Sequence, residues 1–249
     1  MLRKRLVTVL TFEHGVLTRT KQFVPDYRYT LNFVDAWSVD EVVLLDVTRT
    51  ERENRQPFFH IVSHFARRCF VPLAAGGGVR STEDFKTLLG VGADKVVVNT
   101  GAVERPELIT EAAALFGAQC VVVAIDARRT TAGTFEIMTR CGSHPTGLDP
   151  VTWARRAQAL GAGEILITSI EKDGSLEGYD NDLNRLVADA VDIPVLVCGG
   201  AGKWQDFVDG FQLGHASAVC TTNIYHFTET SVRSAKTYLA KTGINVREN

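Results

Sequence analysis

The sequence predicts a (β/α)8 TIM barrel built from two half-barrel repeats, and three observations predict it. Short, apolar, β-rich runs recur eight times, each followed by a stretch with helical periodicity. The runs are continuously apolar, as parallel strands are when both faces are covered. The chain also repeats itself. Val71-Pro-Leu-Ala-Ala-Gly-Gly-Gly78 matches Ile193-Pro-Val-Leu-Val-Cys-Gly-Gly200, Asp84-Phe85 matches Asp206-Phe207, and Gly92 matches Gly214. Two four-strand units closing on each other account for this within one domain, and 249 residues is a usual size for such a barrel. A doubly wound sheet is the second choice. No linker or low-complexity stretch divides residues 1–249.

In chain order, strands are expected at Arg5–Phe12, Glu41–Val47, Val71–Ala75, Lys95–Val98, Cys120–Ile125, Glu164–Thr168, Val195–Cys198 and Ala216–Cys220. Amphipathic helices lie between them, for example Pro106–Phe116, with Glu107 in its first turn, and Pro150–Leu160. A net charge of -2 and a pI near 6.3 argue against a protein that binds nucleic acid by neutralising phosphates. No apolar run approaches the roughly 20 residues of a membrane-spanning helix. The basic start, Met1-Leu-Arg-Lys-Arg5, precedes an apolar stretch that carries Thr8, Thr11, Glu13 and His14 without a small-residue cleavage site, so it is read as the first strand. Five scattered cysteines without a C-x-x-C pair suit a reducing cytoplasm, with no metal or cofactor expected.

In a barrel, the residues at the C-terminal strand ends form the active face. Gly76-Gly77-Gly78 and Gly199-Gly200 end matched strands, and each is followed at the next strand end by a polar cluster, Asn99-Thr100-Gly101 or Thr221-Thr222-Asn223. Such glycines free backbone N–H groups, so Gly78, Asn99 and Thr100, with Gly200, Thr222 and Asn223, are candidates for two phosphate cradles and a bisphosphorylated ligand. Tight turns without a ligand are the plain alternative. Asp173-Gly174, after the sixth strand, is an ordinary turn or a segment closing over that ligand. Asp126 ends a buried strand, where an unpaired carboxylate is costly. It is either catalytic or paired with Arg128 or Arg129; Asp46 is a weaker candidate of the same kind. Aligned as half-repeats, Thr11 falls where Asp126 falls. At the opposite ends, Arg5, Glu41, Lys95 and Glu164 each open a strand. They form either a solvated rim or a charged plug or gate across the barrel bottom.

These motifs together resemble the cyclase (synthase) subunit of imidazole glycerol phosphate synthase, a cytosolic histidine-biosynthesis barrel, from Met1 to Arg247. The resemblance is strongest in Ala75-Gly-Gly-Gly-Val-Arg-Ser81, Gly92-Ala-Asp-Lys-Val96, Val123-Ala-Ile-Asp-Ala127, Asp173-Gly174, Gly178-Tyr-Asp180, Gly199-Gly-Ala-Gly202 and His226-Phe227. It implies a glutaminase partner docked at the barrel bottom, at Asp94 among others. It implies an ammonia gate at Arg5, Glu41, Lys95 and Glu164, and phosphate positions at Gly78, Asn99, Thr100, Gly174 and Gly200. Asp126 matches one of two catalytic aspartates. Thr11 stands where the other belongs, in Val9-Leu-Thr-Phe12 in place of the family's Cys-Leu-Asp-Val. A threonine hydroxyl does not serve as a general acid or base near neutral pH. Glu13, two residues further on, is the candidate substitute, displaced by about 6–7 Å along the strand. Arg19 replaces a lysine, Thr222-Asn223 replaces Ala-Ser, and the stretch Phe23–Val39 is shorter than in the family.

A conventional bottom with an altered substrate face resembles the divergent branch found with surface-polysaccharide genes. That resemblance implies a heterodimer of a glutaminase and a synthase-like subunit. The pair would supply ammonia to a sugar amidotransferase that makes acetamidino sugars for lipopolysaccharide, with weak or no cyclase activity. The alternative is an active cyclase, a lyase of histidine biosynthesis, that tolerates Thr11. A third reading is a non-enzymatic phosphosugar-binding barrel.

Overall fold

The structure, a computed structural model, describes residues 3–28, 39–49, 54–221 and 232–247. Strand β1 (Arg5–Glu13) turns into an antiparallel hairpin, β2 (Val16–Lys21) and β3 (Val24–Arg28). There follow β4 (Glu41–Asp46), β5 (Leu73–Gly76), β6 (Lys95–Val98) and β7 (Val121–Arg129), and then a second antiparallel extension, β8 (Phe135–Thr139) and β9 (His144–Pro145). The last strands are β10 (Glu164–Ser169), β11 (Val195–Cys198) and β12 (Ala218–Thr221). Eight of these pair in parallel in the circle β1-β4-β5-β6-β7-β10-β11-β12, and β12 returns to β1, so the expected (β/α)8 barrel is present and closed. Around it lie α1 (Gln56–Ala66), α2 (Thr82–Gly90), α3 (Thr100–Glu104), α4 (Glu107–Phe116), α5 (Pro150–Ala159), α6 (Asn181–Ala188), α7 (Trp204–Gln212) and α8 (Val232–Lys241). Among the described residues no helix is long and apolar enough to cross a membrane.

Alternation along the strands builds two cores. Leu6, Leu10 and Phe12 of β1 face outward and are fully buried against the helices, with Phe85 of α2 and Phe207 of α7 in the same shell. Val7 and Val9 face inward, into a column with Val43, Ala74, Val97, Val122, Ala124, Leu166, Leu196, Ala218 and Cys220. Each large side chain so buried contributes about 1.5–3 kcal/mol. Capping fixes the helix starts: Asp149 accepts the Thr152 N–H ahead of Pro150 in α5, and Ser81 with Asp84 forms a capping box for α2.

Strand ends differ from expectation for local reasons. Pro72 has no N–H to give a ladder, and β5 begins at Leu73 instead of Val71. β12 begins at Ala218 instead of Ala216. β1 and β7 overrun their expected ends because each continues as one arm of a hairpin above the barrel. The first hairpin turns at His14-Gly15, with φ of +50° and +77°, and the second at Gln22-Phe23, with φ of +50° and +63°. Two-residue turns with both φ positive match the twist of the strands that they join. The barrel is also stitched across its ends. Lys236 Nζ of α8 donates to Asp40 Oδ1 at 2.8 Å, a buried ion pair between residues 196 positions apart, and Asp40 Oδ2 accepts the Leu6 N–H at 2.8 Å.

Candidate active site

The bottom of the barrel is closed by the four charges that open β1, β4, β6 and β10. Arg5 reaches Glu41 at 2.6 Å and Glu164 at 2.9 Å; Lys95 reaches Glu41 at 2.9 Å and Glu164 at 2.8 Å. Acid and base alternate, and each of the four carboxylate oxygens takes one nitrogen. Burial alone would lower the Arg5 pKa, but Glu164 and Glu41 outweigh it and hold the guanidinium charged. The arrangement is a ring across the axis and not a solvated rim, for the Glu41 side chain is only 1% exposed. On the same face Asp94 is exposed and accepts the Leu73 N–H through Oδ2 at 2.8 Å, and Phe70, just ahead of β5, is 81% exposed.

Strand register leads from this ring to the mouth. Glu41 pairs with Val7, Val7 with Cys220, Cys198 with Thr168, and Thr168 with Asp126. β11 and β12 bring Cys198 beside Cys220, and both thiols belong to the inward-facing column. Burial and the Cys198 thiol push the Cys220 pKa well above the usual thiol range, so it remains neutral.

At the mouth, Asp126 is half-buried and accepts the Asn99 Nδ2–H at 2.7 Å. Its pKa is raised to about 7, first by burial and then by the Asp173 carboxylate, against the Asn99 bond. The salt bridge to Arg128 or Arg129 is not formed: Arg128 lies 3.9 Å from Glu171 and Arg129 3.3 Å from Asp180. Asp46 instead accepts the Thr48 N–H at 3.1 Å in its own turn. Thr11 is on the inward face of β1, but its hydroxyl donates to Thr18 O at 2.6 Å, which ties it to the hairpin. Glu13 pairs with Val16 at the base of the hairpin turn and is half-buried.

The β2–β3 hairpin crosses the mouth, because β7 and β10 stand on the far side of the circle from β1. Phe23 N–H donates to Asp173 Oδ2 and Gln22 N–H to Asp173 O, both at 3.0 Å. Arg49 donates to Phe23 O and, at 3.2 Å, to Cys141 O. A Cβ on Gly174 would lie 2.6 Å from Thr20 O, and one on Gly142 would lie 2.9 Å from the Phe23 ring. Asp173 and Gly174, expected beside phosphate, therefore face the hairpin. Burial raises the Asp173 pKa, and the Thr20 hydroxyl, the Phe23 N–H and Arg19 oppose it. Asn99 spends its amide on Asp126, and Thr100 Oγ1 accepts the Arg140 N–H at 3.0 Å. Gly78 and Gly200 occupy matched loops with φ of +66° and +113°, a region that favours glycine. Thr222, Asn223, His226 and Phe227 lie outside the described residues.

A profile of the family described as Histidine biosynthesis protein matches residues 8–231. The chain belongs to that family. Its members are histidine-pathway isomerases or cyclases, so the coarse class is a barrel enzyme of this isomerase or cyclase type. The matched stretch contains Thr11, Asp126, Asp173 and both glycine loops.

Sequence reasoning missed the bracing role of Asp173, the thiol pair and Arg55, whose Nη2 donates to Gly77 O at 2.6 Å. The repeat alignment carried a signal for the thiols, since adjacent strands end in Cys198 and Cys220. For Arg55 there was none, as a single arginine ahead of a helix has no distinctive pattern.

Proposed function

We propose that this chain is the synthase-like subunit of a glutamine amidotransferase, which receives ammonia from a glutaminase partner at the barrel bottom. The ring of Arg5, Glu41, Lys95 and Glu164 carries the reading. Four charges closing the end of an apolar barrel are costly to desolvate and add little stability over an apolar plug, so a gating role accounts for them. Above the ring, Cys220, Cys198 and Thr168 offer neutral weak hydrogen-bonding groups along the wall to Asp126, a lining suited to neutral ammonia. Asp94 and the exposed Phe70 supply a polar and an apolar contact for the partner.

At the mouth the loops at Gly78 and Gly200 hold the two ends of a bisphosphorylated ligand. Thr11 supplies no acid, and its hydroxyl is engaged with Thr18 O. In this reading the cyclase reaction is weak or absent, and ammonia passes to a cytoplasmic sugar amidotransferase that makes acetamidino sugars. The second reading, an active histidine-pathway cyclase, is favoured by one observation: Asp173 is a second, half-buried carboxylate close enough to raise the Asp126 pKa. An acid and a base could then be drawn from that pair without residue 11.

The test is ammonium-dependent turnover of the ribulosyl-aminoimidazole bisphosphate by the purified chain at alkaline pH. No turnover, with activity appearing in Thr11→Asp, supports the first reading. Clear turnover in the unaltered chain that disappears in Asp173→Asn supports the second. For the partner, Asp94→Ala is expected to weaken stimulation of the glutaminase; unchanged stimulation would sink the docking assignment.

A further inference from the structure

The two glycine loops descend from one repeat but are braced differently. In both, an aspartate in the first turn of the following helix gathers the loop through Oδ2. Asp84 accepts the N–H groups of Arg80 at 2.9 Å and Ser81 at 3.0 Å; Asp206 accepts those of Gly202 at 2.8 Å and Lys203 at 2.9 Å. The other oxygen differs. Asp84 Oδ1 takes Arg55 Nη1 at 3.1 Å, and Arg55 Nη2 holds Gly77 O at 2.6 Å, with the guanidinium over the Phe59 ring. In the second half, among the described residues, no cation pairs with Asp206. The Gly178 N–H holds Gly200 O at 2.8 Å, and a Cβ on Gly178 would lie 3.3 Å from Asp206 Oδ1.

The first loop thus carries a neutralised carboxylate and the second a carboxylate bound by backbone amides. An uncompensated carboxylate in the first turn of a helix repels an anion approaching the same N–H groups. Arg55 removes that repulsion at the first loop and turns the Gly77 carbonyl toward itself, away from the side where the Gly78 N–H would meet a ligand. The Arg55 side chain is 14% exposed and that of Asp84 28%, so the pair is partly shielded from solvent.

We propose that Arg55 is a positioning residue that makes the Gly78 loop the stronger of the two phosphate-monoester sites and so sets which way round a bisphosphorylated ligand lies in the mouth. This rests on the two-cradle part of the proposed function. Arg55 acts through Gly77 and Asp84 and does not itself touch the ligand.

The experiment titrates inorganic phosphate into the 15N-labelled full chain and follows the Gly78 and Gly200 amides separately by NMR. In the unaltered protein, Gly78 responds at lower phosphate than Gly200. Arg55→Gln keeps a donor near Gly77 O but leaves Asp84 charged, and it is expected to weaken the Gly78 response about tenfold while leaving Gly200 unchanged. Arg55→Lys retains most of the response. Adding Asp84→Asn to Arg55→Gln restores it, which a purely structural role of Arg55 would not do. Equal Gly78 responses in Arg55→Gln and the unaltered chain overturn the proposal, as does a double variant no better than the single one. Should Arg55→Gln fail to fold, Asp84→Asn alone is the reciprocal test: it tightens phosphate at Gly78 if the proposal holds and leaves it unchanged or weaker if not. If neither amide moves in the unaltered chain, the two-cradle reading itself falls, and this proposal with it.

Discussion

The two ends of the barrel treat their carboxylates in opposite ways. At the bottom, Glu41 and Glu164 have a cation on every oxygen. At the mouth, Asp126 is answered by the Asn99 amide and repelled by Asp173, and burial leaves its pKa at about 7. Compensated charges hold a shape. A carboxylate poised near neutral pH can gain or lose a proton, which is the property a reaction needs. The bottom therefore reads as a device of fixed charge and the mouth as one of exchangeable protons.

The largest expected effect comes from breaking the compensated end. Lys95→Met leaves the two glutamates facing each other with Arg5 alone, and it is expected to cost about 3–5 kcal/mol in a urea titration. A loss below about 1 kcal/mol would mean that water already screens the ring.

Asp126→Asn probes the other end. The folded-state pKa of about 7 lies above the ordinary aspartate value of 3.8. Between those values the native protein holds a proton that the unfolded chain has released. Stability is therefore lost as the pH rises toward 7 and levels off above it. The amide cannot ionise, so Asp126→Asn is expected to be more stable than the unaltered chain at pH 8 by roughly 2–4 kcal/mol, with the difference vanishing near pH 4. Denaturant midpoints across that range check the sign, and a difference independent of pH would show that Asp126 titrates as an ordinary carboxylate.

Two smaller effects sharpen the contrast by separating the hairpin from the chemistry. Thr11→Val removes the bond to Thr18 O and is expected to cost about 1 kcal/mol, read by thermal unfolding, with the pH dependence assigned to Asp126 intact. Gln22→Gly relieves a positive φ and is expected to gain about 0.5–1 kcal/mol in the same assay. A loss instead would show that the Gln22 side chain has a bracing role of its own.

The barrel was legible because its strands are apolar on both faces and because one half of the chain repeats the other. Arg5, Glu41, Lys95 and Glu164 stood out as charges in front of apolar runs, and strand register then brought them to one level. The hairpin was not legible. The expected first strand stops at Phe12, and the residues after it read as loop, while Gln22-Phe23 lacks the glycine or asparagine that marks a turn with positive φ. That turn is held by Asp173, 150 residues away, and no local pattern reports such a contact. Asp126 was legible as a carboxylate at a buried strand end. Its proton affinity was not, since it depends on Asn99 and Asp173 arriving from other strands.

The ion pair between Asp40 and Lys236 has a consequence for biogenesis. Asp40 leaves the ribosome early, and its cation follows 196 residues later. Until then, burying Asp40 would strand a carboxylate, so the nascent first strands gain by keeping that edge wet. A circle closed around a compensated Asp40 therefore requires α8 as well as the eight strands.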